Sequence, residues 1–198
     1  MKLIIKAVCI SFVLTVVYSM IPFHAECRCI SDDTFRLHIL ANSDSEADQS
    51  LKLKVRDRVL EYTEELFESA PDKNAAESAV RDNLQSIANI AYGEVLRSGF
   101  DYPVRAEVTR MYFTTRYYDN YTLPSGMYDA LRISIGAAEG HNWWCVMYPS
   151  ICLSSATERE DRAKQVYSDS EYEIVADEKY EYKFKVVELF EQLKALFG

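Results

Sequence analysis

Residues Tyr128 to Cys152 constrain this chain more than any other stretch. Leu131, Ile133 and Ile135 alternate with Arg132 and Ser134, the period of two that marks a half-buried strand. Gly136 to Gly140 reads as a turn, and Asn142 to Tyr148 as a second extended run. Both tryptophans of the protein, Trp143 and Trp144, sit side by side in that run. Neighbouring side chains on a strand point to opposite faces, so only one of the two can enter a given core. The other covers a second layer, lies on the surface or meets a partner. The hairpin is therefore both a structural centre and a candidate contact site.

The rest of the chain supplies the layers around it. Thr34 to Ala41 predicts a first strand, with Phe35, Leu37 and Ile39 on one face and Arg36, His38 and Leu40 on the other. Asn42-Ser43-Asp44-Ser45 ends it, and either Ser43 with Glu46 or Ser45 with Asp48 fits a capping box opening a helix. Leu51, Val55, Val59, Tyr62 and Leu66 then form one apolar stripe to about Glu68. Lys52, Lys54, Arg56 and Arg58 on the same helix are either a solvated, ion-paired face or a contact for an acidic surface. Pro71-Asp72 begins a second helix carrying Ala76, Val80, Leu84, Ile87, Ala91 and Val95, with Gly99 beyond its end. Val104, Ala106 and Val108 mark another strand, continuing through Phe113.

Tyrosines then cluster around two turn signals, Asp119-Asn120 and Pro124-Ser125-Gly126, where they either cover sheet edges or make contacts. Ser154 to Glu171 reads as a loop or a short helix, and Phe184 to Phe197 as an amphipathic helix. The fold class is α+β. We expect a mixed or antiparallel sheet of about four strands with helices packed on one face, in the order β-α-α-β-β-β-α.

The N-terminus differs from the rest. Lys2 and Lys6 precede an uncharged run from Ala7 to Phe23, which reads as a signal peptide or an N-terminal membrane anchor over residues 1–25. Residues 26–198 then form a single exported domain. Ser19 and Ala25 are small enough to precede a cleavage, although Phe23 is bulky for a cut after Ala25. The net charge is −9, and removal of residues 1–25 leaves 20 basic against 31 acidic residues, or −11. That balance argues against nucleic acid or an anionic membrane surface as the main partner. Outside the cytoplasm, paired cysteines favour disulfides, and Cys145 and Cys152 could close a loop worth roughly 2–3 kcal/mol. Cys27 and Cys29 could pair between two copies, carry nothing, or leave with the signal.

Catalytic signatures are weak. His141 and Cys145 could suggest a Cys–His pair, but four residues of strand span roughly 13 Å. Zinc on His141, Cys145 and Cys152 lacks an obvious fourth ligand. There is no Gly-x-Ser-x-Gly, His-Glu-x-x-His or phosphate-binding glycine loop. We therefore expect no cofactor, no metal and no catalytic residue. The alternatives are an extracytoplasmic hydrolase using His141 with Cys145 or a nearby acid, and a non-catalytic cell-envelope scaffold.

Several segments, taken in order, carry a resemblance. They are Phe35-Arg36-Leu37-His38-Ile39-Leu40-Ala41-Asn42-Ser43-Asp44-Ser45, Asp48-Gln49, Leu51-Lys52-Leu53-Lys54-Val55-Arg56-Asp57, Tyr112-Phe113 and Tyr128-Asp129-Ala130-Leu131-Arg132. Gly140-His141-Asn142-Trp143-Trp144-Cys145-Val146 and Phe184-Lys185-Val186-Val187-Glu188 complete it. Together they resemble the stage II sporulation protein R family of endospore-forming bacteria.

The resemblance implies a signalling protein, not an enzyme. Such a protein is made in the forespore and secreted across its membrane into the intermembrane space, whether released or retained by its N-terminus. There it activates a membrane-embedded aspartic protease of the mother cell, the stage II sporulation GA protease. That protease processes pro-sigma-E and so couples gene expression in the two compartments. The two most distinctive segments suggest the contact surface: Asn42, Ser43, Asp44 and Arg56 with His141, Asn142, Trp143 and Trp144, held by a Cys145–Cys152 bond. One tryptophan would anchor the core and the other would touch the partner.

Overall fold

A computed structural model describes residues 2–67, 70–118, 121–150 and 156–197. In chain order its elements are α1 (Lys2–Asp32), β1 (Phe35–Leu40), α2 (Glu46–Phe67), α3 (Lys73–Asp82), α4 (Leu84–Arg97), β2 (Val104–Phe113), β3 (Arg116–Tyr118), β4 (Tyr121–Leu123), β5 (Gly126–Ile135), β6 (Asn142–Tyr148), α5 (Ala156–Val166), α6 (Asp169–Ala176) and α7 (Glu181–Phe197). A short 3₁₀ turn, Glu178–Tyr180, precedes α7. The class is α+β, as the alternation in the sequence predicts.

The chain divides into two compact units. The larger, residues 32–112 and 127–168, holds the sheet, whose order is β2-β5-β1-β6. β1 runs parallel to β5, with Leu37 opposite Leu131, and antiparallel to β6, with Ile39 opposite Trp143. The sheet is therefore mixed. The helical layer α2–α4 covers one face. Phe35, Leu37 and Ile39 of β1 meet Leu131, Ile133 and Ile135 of β5 and the stripe Leu51, Val55, Val59, Ala76, Val80, Ile87, Ala91 and Val95 in one core. Burial of such apolar groups contributes about 25 cal/mol per Å² and holds the layers together.

Three departures from the expected elements have plain causes. The second helix is two, because the backbone of Asn83 leaves the helical region between α3 and α4 (φ −109°, ψ 12°). Asp72 caps α3 by accepting a hydrogen bond from Ala75 N at 2.9 Å. The segment after Ser154 contains two helices, α5 and α6. The tyrosine-rich stretch forms a separate antiparallel hairpin, β3–β4, with Tyr118 opposite Tyr121. β1 also hides more than its pattern announces. Arg36 and His38, on the face away from the helices, are 0% and 3% exposed. The Arg36 guanidinium lies over the Tyr128 ring, 4.9 Å from its centroid. A central strand buries both faces, so its polar residues follow.

The smaller unit comprises residues 1–31, 113–126 and 169–198. Within it, α6 packs on β4, and Tyr121 meets Tyr172 edge-on with ring centroids 6.4 Å apart. α1 contributes Phe23, whose ring stacks on Tyr180 at 5.7 Å and meets Phe184 at 5.4 Å. Among the described residues no helix is long and apolar enough to cross a membrane.

Candidate functional site

The two distinctive segments of the sequence meet in the larger unit, at the end of the sheet where β1 passes into α2 and β5 turns into β6. The turn is pinned to the end of β1 by main-chain bonds: Gly140 N donates to Ala41 O at 3.0 Å, and Glu139 N to Asn42 O at 3.3 Å. Two glycines make the approach possible. A Cβ on Gly140 would lie 2.2 Å from the Ser43 carbonyl oxygen. Gly136 has φ +60°, and a Cβ there would lie 2.2 Å from Asn42 Oδ1.

Asp48 is the hub beneath the turn. It is 3% exposed. Asn42 Nδ2 donates to its Oδ2 at 2.9 Å, and Ser43 Oγ donates to the same oxygen at 2.5 Å. Burial pushes the Asp48 carboxyl up, but hydrogen bonds from Ser43, Asn42, Tyr102 and Ser45 outweigh it, and the group stays below the ordinary carboxylate range. Of the two possible capping boxes, Ser45 with Asp48 forms, with Asp48 N donating to Ser45 Oγ at 3.2 Å. Asn42 also reaches across, accepting from Ala137 N at 2.9 Å. Gln49 Nε2 donates to Ser43 O at 2.9 Å. Each polar group thus spends its valences inside the corner.

Lys52 completes this brace. Its Nζ donates to Gln49 Oε1 at 2.6 Å and to the His141 carbonyl at 2.9 Å, and the residue is 4% exposed. Burial and the nearby Arg56 charge lower its pKa against the pull of Asp44. Of the basic row of α2, Lys52 is therefore interior, and Arg56 and Arg58 are ion-paired. Arg56 holds Asp57 at 2.6 Å, and Arg58 pairs with Glu61.

Above the brace lies an exposed rim. Asp44 Oδ1 accepts from His141 N at 2.6 Å and pairs with the His141 ring at Nδ1. Their side chains are 55% and 78% exposed. The backbone N–H of His141, then its ring, hold the Asp44 carboxyl below the usual range. The Arg56 guanidinium lies 4.4 Å from the centroid of the Trp143 ring. Asn142 Oδ1 accepts from His38 Nε2 at 3.0 Å, so Nε2 carries the proton in this pairing. Trp144 stacks on His38 with centroids 3.8 Å apart and planes 3° apart.

All eight contact residues expected from the sequence thus gather at this end of the sheet: Asn42, Ser43, Asp44, Arg56, His141, Asn142, Trp143 and Trp144. They divide into layers. Asn42 and Ser43 serve the brace, and Asp44, His141 and Asn142 form the exposed rim. The tryptophans take opposite faces, as alternation requires, yet both are half-buried. Trp143 packs beside the helix-facing core, and Trp144 covers His38. Cys145 is 3% exposed within that core. His141 is turned outward to Asp44, so the two do not form a nucleophile–base pair. Cys152 lies outside the described residues. Asp48, Lys52 and Tyr102 belong to the site, and sequence reasoning does not single them out for it. Asp48 read as a helix cap and Lys52 as a surface charge; periodicity assigns a face but not a partner 89 residues away.

A family model described as "Stage II sporulation protein R (spore_II_R)" matches residues 31–158, which include the brace and the rim. The stage II sporulation protein R of Bacillus subtilis (strain 168) is 33% identical over 139 residues. The match covers 67% of this chain and 62% of that relative's length. No solved structure matches the chain.

Proposed function

The chain belongs to the stage II sporulation protein R family, and on that premise we propose that it is an exported sporulation signal that works by binding, not by catalysis. It crosses the forespore membrane into the intermembrane space. There it activates a membrane-embedded aspartic protease of the mother cell, the stage II sporulation GA protease, so that pro-sigma-E is processed.

The observation that carries this reading is the layering of the corner. An activator works by binding the active state of its target more tightly than the inactive one. A rigid surface loses little entropy on binding, so more of its contact energy appears as affinity. Asp44, His141, Asn142 and the Arg56–Trp143 pair stand on a brace of part-buried hydrogen bonds, which supplies that rigidity. Cys145 is disulfide-bonded and the free thiols among the described residues are Cys9, Cys27 and Cys29, which supports Cys152 as its partner.

The hydrolase alternative rests on the exposed His141–Asp44 pair. The two readings separate experimentally. Co-expression of this chain with the protease and pro-sigma-E in a non-sporulating host should yield processed sigma-E only when the chain is exported. Processing should fail with His141→Ala although the variant is secreted and folded. A purified domain that cleaves a generic ester or peptide, and loses this with His141→Ala, would instead establish a hydrolase.

A further inference from the structure

We propose that the chain is processed after Ser19, between Ser19 and Met20, and that the helix from Phe23 to Asp32 is part of the mature domain and not of the leader. This rests on the export reading above and adds the site at which export cuts the chain.

Within the smaller unit, α1 changes character partway along. Leu3, Ile4, Ile5, Val8, Ile10, Phe12, Leu14, Tyr18 and Ile21 are all at least 59% exposed. From Phe23 onward the apolar positions are interior: Phe23 and Cys27 are 4% exposed and Ile30 is 0%. The spacing of four and three is that of a helix face packed on its neighbours. Phe23 lies against Tyr180 and Phe184, and Lys183 Nζ sits 5.2 Å from its ring centroid. The Cys27 thiol is pushed up to about 12 by its burial and by Glu26 beside it, as befits an interior group.

A cut after Ala25 would remove Phe23 and leave the faces of Tyr180 and Phe184 without their partner. It would also make that large ring the third residue before the scissile bond, where a small or short aliphatic side chain is needed. A cut after Ser19 meets neither objection. Ser19 is then the residue before the bond and Val17 the third before it. The apolar run between Lys6 and this site, Ala7 to Val17, is eleven residues, within the roughly 7–15 of a signal core. The exposed apolar half of the helix leaves almost entirely, and the packed half stays. Chemically the step is hydrolysis of the Ser19–Met20 peptide bond by water, freeing the Ser19 carboxylate and the Met20 amine.

The test is export of the full chain by a Gram-positive host, followed by N-terminal sequencing and intact mass of the product outside the cell. The expected product begins at Met20. Ser19→Leu should abolish processing, and Ala25→Leu, at an exposed position, should leave the cut unchanged. In the exported product, Phe23→Ala should lower the melting temperature by about 10 °C. A product beginning at Glu26, or an exported chain that keeps Met1, overturns the inference and leaves export standing. Full-length chain confined to the cytoplasm overturns the inference and the export reading together.

Discussion

The brace and the rim occupy the same corner of the sheet and draw on the same short sequence segments, yet they treat polar groups in opposite ways. In the brace, Asp48 and Lys52 are buried and Asn42 is half-buried, and each is satisfied by hydrogen bonds within the corner. In the rim, Asp44 and His141 pair in the open. A buried polar group that loses its partner costs its full desolvation, whereas an exposed pair is worth little to stability. Distinctive residues in one motif therefore divide into those that hold the shape and those available to a partner. Variants of the two regions should behave differently.

The sharpest separation comes from Asp48→Ala. It leaves the donors of Asn42, Ser43 and Tyr102 facing a buried gap, and unfolding in urea should show a loss of about 3 kcal/mol. Gly140→Ala comes next. The added methyl must displace the Ser43 carbonyl, and overpacking of this kind costs about 2 kcal/mol; a midpoint shift at unchanged slope would register it. A Gly140→Ala protein as stable as the parent would mean that the turn is not pinned to β1.

Acid should also distinguish the regions. The folded-state pKa of Asp48 is depressed, so its contribution is fully present above the unfolded carboxylate value of about 4 and is lost as pH falls below it. Stability measured from pH 6 down to pH 2 should decline, and Asp48→Asn should flatten part of that decline. Asp44→Asn should flatten it less, because its carboxylate is solvent-screened. The smallest expected change is a gain. Ala138 adopts φ 57° in the turn, a region that disfavours side chains, so Ala138→Gly should stabilise by about 0.5 kcal/mol in the same urea titration.

Much of this corner was legible in the sequence, and the illegible part has a physical cause. Alternation identified β1 and β5, the extended run from Asn142 to Tyr148 matched β6, and strand geometry put the two tryptophans on opposite faces. A capping box from Ser43 or Ser45 marked the start of α2, and the glycines marked the turn. The burial of Lys52 and Arg36 was not legible. A lysine stem can snorkel or turn inward, and the choice depends on a carbonyl from a distant turn. The break at Asn83 was hidden because the apolar spacing continues through it from Val80 to Ile87. The β3–β4 hairpin was hidden because its tyrosines suit a surface loop as well as an edge.

The central claim is that the rim recognises a partner while the brace only supports it. The most direct measurement is processing of pro-sigma-E in the reconstituted host with Asp44→Ala/His141→Ala, beside circular dichroism and a thermal melt of the same secreted protein. The account predicts a melt within a few degrees of the parent and at least tenfold less processing. Undiminished processing with the fold intact would contradict it and move the contact to another surface.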